Sequence, residues 1–398
     1  FIVSDWGSIR EMIDHGYAKD RKNAGELALN GGSDMDMESY IYLEYLQELI
    51  NEGKVKMSQI DDAVSRILKV KYELGLFEDP YKYLDKEREA AIIGSKEILD
   101  ATYEVAQNSI VLLKNENNIL PLKKSGLNIG LIGPLADDKN SPLGNWRIAA
   151  DNNSAISVKE GMENYDGNKI THSIGVRLIN KVPDGFHEEV SINETDKSGI
   201  SDAKRIARNA DIVVMVLGEY GFQSGEARSR TNLDLPGLQQ ELLEEIYTIN
   251  HKIVLVLMNG RPLVLNWHEE NLPAIVEAWH LGSSSGSAIA SVLYGDFNPS
   301  GKLPMSFPRS VGQLPLYYNY KSTGRPGVDG VDPGSVFWSH YIDELNSPLY
   351  PFGFGLSYSE FIISDVKLSS NELKSGESIQ ATIEITNTSN IKGREVVQ

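Results

Sequence analysis

The first seven residues bring a carboxylate and an indole together. Phe1-Ile2-Val3 is an apolar run that leads directly into Ser4-Asp5-Trp6-Gly7, a pattern typical of a buried strand that opens into a loop. The carboxyl end of a strand is where α/β enzymes usually keep their chemistry. A carboxylate at Asp5 suits the anomeric carbon of a sugar, and the flat face of Trp6 suits its ring. The alternative is Asp5 as a helix cap with Trp6 in a core, and these residues alone favour it.

A second stretch with chemistry-bearing side chains is the loop after the apolar run that ends at Gly218. This run predicts a buried strand, so the loop lies at the carboxyl end of a sheet and can reach across a domain cleft. Glu226 is a candidate acid on the loop, and an ion pair with Arg228 or Arg230 is its alternative role. Glu219 is the rival candidate, but ordering the loop through backbone N–H groups is its favoured role.

The elements around the first stretch follow a βα pattern. Helical spacing predicts helices over residues 8–30 and 38–52, and a third that opens at a capping box, Ser58-Gln59-Ile60-Asp61. Residues 33–37 are compatible with a strand. Strand, helix, strand, helix is the repeat of a parallel barrel or a doubly wound sheet. We interpret Asp34 and Asp36, at the predicted end of the second strand, as structural carboxylates that hold loops.

The middle of the chain predicts an open, mostly parallel sheet with helices on both faces. Apolar runs predict strands at residues 128–133, 211–218, 253–259 and 273–279, and helices are predicted at residues 201–209, 236–250 and from Gly286 to Gly295. Asp234 is expected to cap the second of these helices. Gly282-Ser283-Ser284-Ser285-Gly286 lacks the lysine and the spacing of a phosphate-binding loop and predicts a tight turn. From residue 362 the pattern alternates as in β-structure.

The composition argues against several classes of function. Among 398 residues the formal net charge is −18, and binding a phosphate backbone needs clustered Lys and Arg, so no nucleic-acid partner is expected. No apolar stretch is long enough to span a membrane. The absence of cysteine rules out disulfides and thiol chemistry, and the scattered histidines show no metal-ligand spacing. We therefore expect no metal and no cofactor.

The segment from Phe1 to Gly7 resembles the nucleophile segment of glycoside hydrolase family 3, which ends in Ser-Asp-Trp. Further motifs follow in the order of that family and together cover nearly the whole chain. They are Gly31-Gly32-Ser33-Asp34-Met35-Asp36-Met37, Leu74-Gly75-Leu76-Phe77-Glu78-Asp79-Pro80-Tyr81, Val111-Leu112-Leu113-Lys114-Asn115-Glu116, Asn298-Pro299-Ser300-Gly301-Lys302-Leu303-Pro304 and Tyr350-Pro351-Phe352-Gly353-Phe354-Gly355-Leu356-Ser357-Tyr358. Within the family, the chain is most similar to the bacterial periplasmic β-glucosidases.

The resemblance implies an α/β architecture in several parts. It implies the C-terminal part of a (β/α)8 barrel (1–76), a linker (77–95), an α/β sandwich domain (96–310), a connecting loop (311–358) and the truncated start of a fibronectin type III-like β-sandwich (359–398). Because both ends of the chain fall inside strand patterns, we expect a fragment cut at both ends, and the resemblance implies that the first six barrel strands are missing from it. We expect such a fragment alone to bind glucose poorly and to be inactive.

The resemblance also implies the chemistry. It implies a retaining, exo-acting β-glucosidase with Asp5 as nucleophile and Glu226 as acid/base, two carboxyl groups about 5–5.5 Å apart. Trp6 is expected to stack on the outer, +1 side of the site, and Arg10 is a weaker candidate for its rim, with a solvated helix position as its alternative. β-Xyloside or α-arabinofuranoside hydrolysis remains an alternative, as does non-catalytic carbohydrate binding.

Partners and location follow from the same resemblance. The expected partner is a small β-glucoside or an oligosaccharide, and the expected location is periplasmic or secreted. A homodimer is left open.

Overall fold

The computed structural model describes residues 1–185, 187–328 and 336–397. By its contacts, the chain divides into two compact units, Phe1–Gly94 and Ser95–Gln398. Residues 329–335 of the predicted connecting loop, and Gln398 of the predicted terminal domain, lie outside the described residues. Among the described residues, none of the helices combines the length and the apolar character that crossing a membrane requires.

The first unit is mainly helical. Its helices are α1 (Ser8–Glu11), α2 (Arg21–Asn30), α3 (Ile41–Asn51), α4 (Met57–Glu73) and α5 (Lys86–Ile92). The prediction of one helix over residues 8–30 is wrong, because the Asp20 side chain accepts the Asn23 N–H at 2.8 Å and begins α2 separately. The predicted capping box of α4 is also misplaced. The helix begins one residue before Ser58, and Gln59 accepts the Lys56 N–H at 2.9 Å.

The first seven residues lie beside residues 33–37. Val3 and Met35 form a parallel bridge, and the Ser4 N–H donates to the Met35 carbonyl at 2.9 Å. The Gly7 N–H donates to the Met37 carbonyl, also at 2.9 Å. The two predicted strand segments are therefore neighbours, but one bridge joins them in place of a full ladder.

Asp34 and Asp36 hold these segments in place, as predicted. Buried Asp34 accepts the Ile2 N–H at 2.8 Å and pairs with Arg66 of α4 at 2.6 Å. The Arg66 guanidinium keeps the pKa of Asp34 below its usual 3.8. Asp36 accepts the N–H of Ile41, the first residue of α3, at 2.8 Å. Both carboxylates are thus structural.

The second unit is built on a mixed sheet, and six of its strands join within the described residues. They are β1 (Val111–Asn115), β2 (Ser125–Ile132), β3 (Gly167–Ser173), β4 (Ile212–Gly218), β5 (Ile253–Met258) and β6 (Ala274–Glu277). Their order across the sheet is β1-β6-β5-β4-β2-β3. β1 is antiparallel to β6, and the other pairs are parallel. The predicted α/β fold with a mostly parallel sheet is confirmed.

Helices cover both faces of this sheet. They are α6 (Lys96–Ser109), α7 (Val158–Glu163), α8 (Ile200–Asn209), α9 (Gln239–Tyr247), α10 (Asn266–Asn271) and α11 (Ser285–Leu293). Side chains alternate along a strand, so Val214 of β4 packs in a core with α6, α7 and α11, whereas Val213 packs in a second core with α8 and α9. β4 and β5 are buried along their whole length. Each fully buried Val or Leu contributes about 1.5–3 kcal/mol.

Two predictions about the helices of this unit have different outcomes. Asp234 does not cap α9, because Gly237 has a φ of +66° and the helix begins only at Gln239. The Gly282–Gly286 segment connects β6 to the start of α11, so the predicted strand-to-helix turn is confirmed.

The last described residues form short antiparallel pairs. Their strands are β7 (Phe361–Ile363), β8 (Lys367–Leu368), β9 (Ala381–Thr382) and β10 (Ile385–Asn387). β7 pairs with β10 and β8 with β9. The fibronectin type III-like sandwich and the domain boundaries given above stay predictions.

Candidate active site

Asp5 and Trp6 are both accessible. The Asp5 carboxylate accepts the N–H of Trp6 at 2.7 Å, and α1 begins after Gly7 without a side-chain cap. The alternative in which Asp5 caps the following helix is therefore wrong. Trp6 is 68% exposed, so it does not pack into the core of the first unit. The structure thus leaves an exposed carboxylate beside an exposed indole.

Trp6 also lines a surface cleft of about 600 Å³ in the first unit. Its other walls include Asp34 and Asp36, which are held as described above, and Glu38 and Tyr40. Glu38 and Tyr40 have φ values of +69° and +60°, a left-handed backbone that non-glycine residues adopt at a cost and that is often found at functional sites. Arg10 lies 3.9 Å from Glu38 and is half-exposed on α1.

Glu226 is exposed on a turn that follows β4 and a short 3₁₀ segment, Gly221–Gln223. The ion pair proposed as its alternative role is not found among the described residues. Arg230 pairs with Glu219 at 2.8 Å, and Arg228 donates to the Glu188 carbonyl at 3.0 Å. The Glu226 carboxyl group is therefore free to meet a ligand.

Glu219, the rival acid, is fully buried. Its carboxylate accepts the Gly260 N–H at 3.2 Å, so it bonds a backbone N–H as predicted, but one that lies after β5 and not in its own loop. It also pairs with Arg230 at 2.8 Å and with Arg261 at 2.9 Å. Sequence analysis missed Arg261. The signal was its place just after β5, since parallel strands end at the same edge of a sheet.

Two further titratable groups, one fully buried and one partly buried, lie at the same edge. Glu277, the last residue of β6, accepts the Trp279 N–H at 3.1 Å, and the Asn259 amide lies 3.3 Å away. Burial raises the pKa of Glu277 well above its usual 4.5, which favours the protonated form. Burial lowers the pKa of His280, whose Nε2 lies 3.4 Å from the Glu219 carbonyl. Sequence analysis singled out neither Glu277 nor His280.

The carboxyl groups described above are of two kinds, buried and exposed. Glu219 and Glu277 are both fully buried and engaged with protein groups, so they shape the edge of the sheet. Glu226 and Asp5 are exposed and can exchange a proton or attack an electrophilic carbon. Both carboxyl groups that sequence analysis assigned to catalysis are therefore accessible, whereas the rival Glu219 is not.

Comparison with known proteins assigns both units to one family. The model of the glycosyl hydrolase family 3 N-terminal domain matches residues 1–70, and that of the family 3 C-terminal domain matches residues 110–358. A periplasmic beta-glucosidase of Salmonella typhimurium is 44% identical over an alignment that covers 100% of this chain and 53% of that protein. A beta-xylosidase of Formosa agariphila is 36% identical and is matched over 54% of its length.

Solved structures of beta-glucosidases are also similar to this chain. The beta-glucosidase from Listeria innocua in complex with isofagomine superimposes with a TM-score of 0.87 at 36% identity, over 98% of this chain and 52% of that one. The chain spans about half the length of the curated relatives that it matches. Since the C-terminal family model alone covers more than half of the residues, the chain belongs to glycosyl hydrolase family 3.

Proposed function

We propose that the protein is a retaining, exo-acting β-glycosidase that removes terminal non-reducing β-D-glucosyl residues. The observation that carries this proposal is the exposed carboxyl group of Glu226 on the loop after β4. The rival Glu219 forms ion pairs with two arginines and is therefore engaged. The name of the Salmonella typhimurium relative, a periplasmic beta-glucosidase, supports the same activity.

The proposed reaction is a double displacement. Asp5 attacks the anomeric carbon and forms a covalent glycosyl-enzyme, while Glu226 donates a proton to the departing glycosidic oxygen. Glu226 then takes a proton from the water that releases the sugar. Trp6 stacks on the outer, +1 side of the bound sugar, a role that its exposed indole supports. Arg10 is a weaker candidate for the rim of the site.

The experiment that tests the residue roles uses the full-length protein. We expect Asp5→Asn and Glu226→Gln each to remove most turnover of aryl β-glucosides. Azide should rescue Glu226→Gln on substrates with good leaving groups, because such substrates need little proton donation and azide needs no general base. The rescued product should be the β-glucosyl azide, as retention requires. Glu244→Gln, at an exposed position of α9, serves as the matched control. Near-normal turnover by the Asp5 variant would discard the assignment.

The identity of the sugar in the substrate needs a separate test. A beta-xylosidase is among the relatives at 36% identity, so β-xylosides are the first alternative to β-glucosides, and α-arabinofuranosides are the second. A comparison of kcat/KM on matched aryl β-glucosides, β-xylosides and α-arabinofuranosides decides between them. A higher value on either alternative would replace the glucosidase proposal but leave the retaining mechanism in place.

Architecture, partners and location are proposed on the same basis. Residues 1–76 would belong to a (β/α)8 barrel and residues 359–398 to a fibronectin type III-like sandwich. The partner would be a β-glucoside or an oligosaccharide, and the location periplasmic or secreted, as the name of the Salmonella typhimurium relative suggests.

A further inference from the structure

The buried carboxylate of Glu219 holds both ends of the loop that carries Glu226. Glu219 lies where the loop leaves β4, and its side chain is fully buried. Arg230, at the far end of the loop, donates to Glu219 at 2.8 Å and to the Asp234 carbonyl at 3.0 Å. The Arg230–Glu219 pair therefore closes residues 220–229 into a loop with a fixed span.

A second arginine ties the middle of the same loop to the neighbouring strand. Arg261, which follows β5, lies 2.9 Å from the Glu219 carboxylate and donates to the carbonyl of Gln223. The Gly260 N–H donates to the other Glu219 oxygen at 3.2 Å. Three segments, the start of the loop, its end and the β5 exit, thus converge on one carboxylate.

Burial makes this arrangement strong. Arg230 and Arg261 have side chains only 20% and 16% exposed, and Glu219 has none of its side chain exposed. An ion pair removed from water is screened little, and the loss of one partner leaves an uncompensated buried charge. The planar guanidinium of Arg230 also fixes direction through its two hydrogen bonds, whereas the Nε of Arg261 lies within ion-pair distance of Glu219 without hydrogen-bond geometry. This ion-pair cluster is therefore a rigid support for a loop whose own tip is exposed.

We propose that Glu219, Arg230 and Arg261 form a positioning clamp that holds the Glu226 carboxyl group in place for proton donation to the leaving group. The proposal rests on the proposed function, in which Glu226 is the acid/base. The clamp touches no substrate. It acts by setting the place of the loop, since a general acid must lie within hydrogen-bond reach of the oxygen that it protonates.

The position of a general acid matters most when the leaving group is poor. Departure of a phenol with a high pKa needs the proton, whereas departure of a dinitrophenol does not. A clamp that positions the acid therefore predicts a loss that depends on the leaving group. A clamp that only stabilises the fold predicts an equal loss on every substrate, because it changes only the amount of competent enzyme.

The test is Arg230→Met in the full-length protein, which leaves Glu219 paired with Arg261. We expect kcat/KM on phenyl β-glucoside to fall about 100-fold, within the range that general acids contribute, and kcat/KM on dinitrophenyl β-glucoside to fall less than about threefold. Covalent trapping with a 2-fluoroglucoside counts the competent molecules. Arg230→Lys, which can keep only one of the two contacts, should lie between Arg230→Met and the unchanged protein.

Arg205→Met is the matched control, since Arg205 pairs with Asp202 on the exposed side of α8. It should leave both rates unchanged. Equal losses on the two glucosides after correction for trapped enzyme would overturn the clamp. If Arg230→Met does not fold, Arg230→Lys replaces it. A leaving-group dependence in Arg230→Lys equal to that of the unchanged protein would then overturn the clamp. Failure of the proposed function is visible separately, as full activity of Glu226→Gln on phenyl β-glucoside.

Discussion

A methyl group on Gly225 would lie 2.2 Å from the side-chain nitrogen of Asn145. Gly225 also has a φ of +121°, a conformation that residues with a side chain rarely adopt. Glycine is therefore favoured before Glu226 for two reasons, the contact with the Asn145 side chain and the backbone geometry.

The first prediction concerns this glycine. Gly225→Ala in the full-length protein should lower kcat/KM on phenyl β-glucoside by about 10-fold or more, because a displacement of about 1 Å at a catalytic group costs up to about 100-fold. Gly225→Ala combined with Asn145→Gly removes the contact but not the φ strain, so it should recover only part of the loss. Full activity of Gly225→Ala would show that the turn does not set the position of Glu226.

The second prediction concerns the packing of α7 against α11. A methyl group on Gly286 would lie 1.8 Å from the Ser157 carbonyl oxygen. Gly286→Ala must push backbone apart and should lower the free energy of opening of the sheet by about 1–3 kcal/mol, the usual cost of overpacking. Hydrogen exchange of β5 amides measures this free energy. Gly324→Ala is the control, since its added methyl group meets nothing within 4 Å, and an equal loss in both variants would contradict the prediction.

The third prediction concerns Glu277. Burial raises its folded-state pKa well above the 4.5 of an ordinary Glu, so above pH 4.5 the folded state holds a proton that the unfolded state releases. Stability should therefore fall as the pH rises, by up to about 1.4 kcal/mol per pH unit. In Glu277→Gln this contribution is absent, so the stability of the variant minus that of the unchanged protein should increase from pH 5 upward. A difference that stays constant with pH would contradict the raised pKa.

The fourth prediction concerns His268, which is 3% exposed. Burial lowers its pKa from 6.5 to about 4, so between these values the unfolded state binds the proton and the folded state does not. Stability should be lost as the pH falls from 6.5 to 4, by roughly 3 kcal/mol in total. His268→Phe should remove this loss in urea unfolding or in β5 hydrogen exchange. His251→Phe, at an exposed position, should keep it, and equal acid sensitivity of both variants would refute the prediction.

The fold of the second unit was largely predictable. A strand of a parallel sheet is covered on both faces, so its sequence is a continuous apolar run, and β4 and β5 were found to within about a residue for this reason. Helix beginnings were predicted less well. Asp234 resembled a cap, but the left-handed Gly237 delays α9 until Gln239, and a single sequence does not show which of several local hydrogen bonds forms.

The sequence by itself determined the family, through motifs in a fixed order, and the identity of the candidate carboxyl groups, Asp5 and Glu226. Only the tertiary structure decided which acids are engaged. Asp34 meets Arg66 across 32 residues, and Glu219 meets the Gly260 N–H across 41. Such pairs depend on which strand ends and helices become neighbours after folding, and the chemical types of the residues along the chain do not contain that information.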